Sequence, residues 1–244
     1  MITYLIPTAK EMKFSGQTYP HFVPNKTRPL IQKLCQKSVE ELTDFYNIKP
    51  TAAALEFERL QALKTGQAAA YPALTLFNGL MYRHIETDAI PEQKLTKQVY
   101  IASALYGIIP ADRPIAPHRL DFSHKLKMHG HSLKSYWRED YDHFAHKQEL
   151  IISLLSAEFA DVFSPEQRKR FITLEFMEEK EGQLKKHATI SKKARGQFLS
   201  QALKEDCQTV QDIKELQFHG FAYRPDLSTA GRTLVFVKTA AHKH

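Results

Sequence analysis

The chain has 244 residues, 43% hydrophobic, 11% aromatic and 25% charged, which excludes a disordered, collagen-like or disulfide-stapled chain. Lys and Arg number 34 against 27 Asp and Glu, a formal net charge of +7 that suits an anionic partner. Cys35 and Cys207 show no CxxC or zinc-thiolate spacing and read as reduced thiols, and no stretch reaches the ~18 apolar residues of a membrane span. A cytoplasmic, monomeric protein with one domain over residues 1–244 and no membrane association is expected.

Residues 2–6 are almost continuously apolar and predict a strand buried on both faces. Residues 29–46 carry Leu30, Leu34, Val39, Leu42 and Phe45 near helical spacing, with Pro29 suited to a first turn. A second, alanine-rich helix follows over 51–63, with Thr51 as its cap. Residues 98–102 and 149–155 read as buried strands, and Ser156 starts a strand-to-helix turn. Residues 170–177 and 232–239 complete the strands. Helices and strands interleave without a repeat or a Gly/Ser-rich linker, so the class is mixed α and β.

The positive excess is concentrated. Residues 168–204 hold ten Lys or Arg against four Glu, and residues 182–204 contain six cations and no acid. The segment 191–204, SKKARGQFLSQALK, predicts a helix capped by Ser191, with Lys192 and Arg195 three apart on one face. Cations near a helix start are unfavourable for the helix itself. Their presence there implies a compensating anion, either a ligand or a carboxylate elsewhere in the fold. No GxGxxG, Walker, HExxH or GxSxG pattern is present, and no cofactor is expected.

Four segments and an aromatic pair follow in a set order: ASALYGIIP at 102–110, APHRLDF at 116–122, Tyr136-Trp137, SKKARGQ at 191–197, and FHGFAYRPDLSTAGRTLVFVK at 218–238. This succession resembles the YaaA family of bacterial peroxide-stress proteins. The resemblance implies an α+β fold, a mixed curved sheet wrapped around helices with a basic cleft and a helix-hairpin-helix. It also implies a cytoplasmic DNA-binding protein that limits free iron and oxidative DNA damage under hydrogen peroxide. Carried over by residue, it places DNA or phosphate binding at Lys192, Lys193, Arg195, Lys10 and Arg119. The hairpin turn falls at Leu105, Tyr106 and Gly107, and Ser156 and Glu158 match a Ser-x-Glu after a buried strand. This chain departs from the family pattern at Ala104 and at Pro110-Ala111, which lack a glycine and an arginine of the family's turn. Leu80 stands where the family has an aspartate, which removes a carboxylate from any acid chemistry.

Alternatives remain open at several residues. Arg119 is either a phosphate contact or an interior partner of Asp121 or Glu158. Tyr106 is a core aromatic or a platform for base stacking. Glu158 is a first-turn acid beside a capping Ser156, or a general base at a strand end. The enzyme reading, action on a nucleobase, nucleotide or phosphorylated substrate, uses Glu158 and Tyr106 as acid or base. The histidines at 124, 129, 131, 143 and 146 include an HxH and an i, i+3 pair, spacings that can place imidazoles on one iron ion; the other reading is solvated side chains, and no metal ligand is assigned. His242 and His244 read as surface residues of a terminal tail.

Overall fold

Residues 2–6 are apolar because the strand they form, Ile2–Pro7, lies inside a nine-stranded sheet with a neighbour on each side. The computed structural model describes residues 1–14, 16–229 and 231–239; His242 and His244 lie outside the described residues. Reading across the sheet, the strands are Gln217–Phe218, Phe221–Tyr223, Thr233–Thr239, Ile172–Lys180, Leu150–Ser153, Ile2–Pro7, Val99–Ser103 and Gly107–Pro110. Gln183–Lys185 pairs with Ile172–Lys180 off this path. The five strands from Thr233–Thr239 to Val99–Ser103 are parallel, and both flanks are antiparallel. The fold is α+β with a mixed sheet, as the sequence predicts. No helix among the described residues is long and apolar enough to cross a membrane.

The helices depart from the sequence pattern where side chains compete for the backbone. The helix expected over 29–46 is two, Arg28–Leu34 and Val39–Tyr46. Ser38 separates them: its hydroxyl accepts from the Glu41 N–H, and the Glu41 carboxylate accepts from the Ser38 N–H, a reciprocal cap that starts a new helix. The alanine-rich helix is Pro50–Thr65, capped by Lys49 and not by Thr51. Proline at its first position, where an N–H has no intrahelical partner anyway, moves the start forward. The helix Leu133–His146, begun by Ser132, was not legible as a periodic run.

The basic helix is Ala188–Lys204, longer than expected, and Ser191 lies inside it; the cap is His187. Its buried face, with Phe198, Leu199, Ala202 and Leu203, packs on the strand Ile172–Lys180, where Phe176 and Phe198 meet at 6.0 Å between ring centres. Phe218, Phe221 and Phe236 close the same aromatic cluster. Gly196 lets the helix approach a second wall. A Cβ there would lie 2.2 Å from the Met81 carbonyl oxygen, so only glycine fits. Ser200 fixes the contact, accepting from the Glu86 N–H at 2.9 Å. This docking sets where Lys192 and Arg195 stand.

Candidate functional site

The chain leaves the central strand Ile2–Pro7 toward Val99–Ser103 on one side, and later returns through Leu150–Ser153 on the other. Loops at the carboxyl ends of these two parallel strands therefore diverge, and such a switch point opens a crevice. A cavity of about 690 Å³ occupies it. Its walls are residues 7–11 after the central strand, 79–83, 118–121, 156–159 after Leu150–Ser153, and the first two turns of the basic helix. The wall loops are pinned. Tyr82 Oη donates to the Pro7 carbonyl at 2.7 Å, and Gly79 lies so close to Ala9 that a Cβ would sit 2.7 Å from that methyl.

Of the sequence candidates, Lys10, Arg119, Glu158, Lys192 and Arg195 border this one cavity, although they come from four separate segments. Lys193 is exposed and does not border it. Lys10 reaches Asp121 at 3.4 Å, and Arg83 pairs with Glu11 at 2.6 Å. Arg119, Lys192, Arg195 and Glu158 form no ion pair among the described residues. The interior pairing weighed for Arg119 is absent, because Asp121 is taken by Lys10, His124 and Ser123. Burial alone pushes the Asp121 carboxyl up, but the hydrogen bonds from His124 and Ser123 outweigh it and hold it well below the usual carboxylate range.

Six buried side-chain polar atoms among the described residues have no hydrogen-bond partner, and three belong to residues that line this cavity: Arg119 Nε, Glu158 Oε1 and Arg195 Nε. A buried polar atom without a partner costs about 1 to 3 kcal/mol, more when the group is charged. Burial also lowers the Arg195 guanidinium below its ordinary value, the mark of a desolvated cation without compensation. Ser156 stands at the cap position of Ala157–Ala160 and Glu158 in its first turn, as the capping reading has it, but the Ser156 hydroxyl makes no cap bond.

His118, not singled out in the sequence, completes the wall. Its Nδ1 lies 3.0 Å from the Ala116 carbonyl, which can only accept, so Nδ1 carries the proton and Nε2 is left as an acceptor. Burial pushes its pKa down to about 4, so the ring is neutral near pH 7. The signal was present as the His of APHRLDF, between Pro117 and Arg119, but one histidine among twelve does not stand out.

The other motif behaves differently. Leu105, Tyr106 and Gly107 belong to the turn between two strands, Val99–Ser103 and Gly107–Pro110, so it is a β-hairpin and not the turn of a helix-hairpin-helix. Its N–H groups are spent: Ser103 Oγ accepts from Leu105 at 3.2 Å and from Tyr106 at 3.1 Å. Tyr106 is 6% exposed, lies behind His118 at 5.1 Å, and does not border the cavity. Burial raises its hydroxyl well above the ordinary value, so it stays protonated. The five histidines considered for a metal disperse as well. His124 turns to Asp121 at 2.8 Å and stacks on Phe45, and no group of three or more His, Cys, Asp or Glu converges among the described residues.

Fold and cavity define an α+β protein with a ligand-sized crevice, bordered by several charged side chains, at the switch point of its sheet. The family model for the peroxide stress protein YaaA matches residues 2–227. The chain is 53% identical over 232 residues to a UPF0246 protein of Streptococcus equi subsp. equi, covering 94% of this chain and 96% of that one. A UPF0246 protein of Streptococcus pyogenes serotype M4 is 50% identical over 244 residues, 99% and 100% of the two chains. The chain belongs to the YaaA/UPF0246 family of peroxide stress proteins.

Proposed function

We propose that this protein serves the peroxide-stress response in the cytoplasm by binding DNA over the mouth of the cationic cavity, and that it helps limit free iron and oxidative DNA damage. One observation carries the reading: Arg119, Lys192 and Arg195 converge on one crevice with no carboxylate partner. Uncompensated cations that border a concave surface attract a polyanion, and phosphate backbones are the commonest such ligand. Lys193 is exposed on the same helix.

The test is fluorescence anisotropy of labelled duplex and four-way-junction DNA across a salt series, with Lys192, Lys193 and Arg195 changed to alanine. Affinity is expected to fall with a log-log slope of about −0.9 per phosphate neutralised, and the slope to shrink in the variant. Binding indifferent to salt, or to these three residues, overturns the reading. A second reading, an enzyme acting on a nucleotide or other phosphorylated substrate, is favoured by Glu158 together with His118 Nε2, two acceptors bordering the same cavity. Either could take a proton from a bound substrate. Turnover lost in both Glu158→Gln and His118→Asn, with ligand affinity kept, is its expected signature.

A further inference from the structure

The cationic residues account for a phosphate but leave Glu158 unexplained. A carboxylate is out of place in a site built only for polyanions, since it repels the backbone that the arginines attract. Lys10 and Arg83, the other cations of the wall, are already engaged by Asp121 and Glu11. Glu158 is half-buried, with Oε1 cut off from water and unpartnered, yet it borders the cavity between Ser156 and Phe159. The desolvation of a carboxylate is recovered only by a group that brings hydrogen-bond donors. A ligand that satisfies the whole wall therefore carries both a phosphate and N–H donors.

The cavity volume narrows the class. About 690 Å³ falls within the ~300 to 1,000 Å³ of small-molecule sites and is too small to admit a stacked duplex. A single nucleotide fits, either free or turned out of a strand. Bases differ in the edge they offer a carboxylate. Guanine presents adjacent N1–H and N2–H donors, cytosine and adenine an exocyclic amino group, and thymine one N–H flanked by two carbonyl acceptors that repel it.

We infer that the cavity holds one nucleotide, its phosphate on Arg119 and Arg195 and the donor edge of an amino-bearing base, guanine foremost, on Glu158. This inference rests on the reading that the cavity receives a phosphate-bearing ligand. The neutral His118 Nε2 supplies a further acceptor on the same wall.

Calorimetric titration of the full chain with dGMP, dCMP, dTMP and deoxyribose 5-phosphate tests it, beside the DNA titration above. dGMP is expected to bind at least about tenfold tighter than dTMP, one good hydrogen-bonded contact's worth. Glu158→Gln, nearly isosteric, is expected to bring that ratio close to one while deoxyribose 5-phosphate binds as well or better, because a negative charge is gone. Arg195→Met, checked for an unchanged melting temperature, weakens every phosphate-bearing ligand. Equal affinity for dGMP and dTMP overturns the inference, as does a ratio that survives Glu158→Gln. Salt-dependent DNA binding without any mononucleotide binding overturns it and leaves the DNA reading standing. If neither DNA nor any nucleotide binds, the reading itself has failed.

Discussion

Two motifs that stand out in the sequence, the Leu-Tyr-Gly turn and the basic helix, meet opposite fates in the fold. In the turn most of the backbone polar groups have partners. The Ala104 carbonyl accepts from Trp137 Nε1 at 2.7 Å, the Ser103 carbonyl from Tyr141 Oη at 3.0 Å, and the Leu105 carbonyl from Thr27 Oγ1 at 2.8 Å. Gly107, at φ 75, is pressed against the Trp137 ring, where a Cβ would sit 2.9 Å from the nearest ring carbon. At the basic helix, Arg195 is desolvated and unpartnered, and Arg119 and Glu158 share that condition across the cavity. Burial with partners holds a fold together; burial without them costs stability that a ligand returns.

The sharpest way to break this comparison is to remove a member of each set and measure stability. Trp137→Ala deletes a fully packed ring and leaves the Ala104 carbonyl buried without its donor; a loss of about 3 to 5 kcal/mol is expected by urea denaturation. Arg195→Met is expected to leave stability unchanged or slightly raised while DNA affinity falls, since it removes an uncompensated charge. A large loss in the arginine variant would place it among the structural groups.

A pH series sharpens the contrast next. His118 is held at about 4 in the folded protein against 6.5 when exposed, so the unfolded chain takes the proton first. Its contribution is intact above pH 6.5 and is lost as pH falls toward 4, by up to about 3 kcal/mol. Denaturation curves at pH 7 and 4.5 are expected to differ less for His118→Asn than for the natural chain. Gly196→Ala, at the join between the basic helix and residues 81–84, is expected to cost about 1 to 3 kcal/mol by overpacking, with weaker DNA binding as Lys192 and Arg195 shift.

The smallest expected effect concerns peroxide itself. Burial pushes the Cys207 thiol up to about 12 and raises Cys35, whose Sγ also donates to the Leu60 carbonyl. Neither is a thiolate near pH 7, so hydrogen peroxide at micromolar levels is expected to leave both unmodified by mass spectrometry. Rapid sulfenylation of either would instead make this chain a sensor in its own right.

Much of the frame was legible in the chain. The apolar run at 2–6, the buried-strand segments 98–102 and 149–155, and the segments 170–177 and 232–239 marked all five parallel strands and the order of α and β elements, because strands buried on both faces have little room for polar residues. Residues 98–102 and 232–239 match Val99–Ser103 and Thr233–Thr239 within a residue. The motif order also carried the family. Helix starts were less legible, since Ser38, Lys49 and His187 win or lose the cap through local bonds and proline placement that hydrophobic spacing does not report.

The sequence by itself determined the charge surplus, its concentration at 182–204, the strand cores and the family. Only the tertiary structure decided which polar residues go without partners. A side chain's need for a ligand is set by what surrounds it, and Arg119, Glu158 and Arg195 are brought together across 76 residues of chain by the divergence of two parallel strands. The same rule retired the Leu-Tyr-Gly turn. Its residues look available in a string of letters, and Ser103, Thr27 and Trp137 occupy them in space.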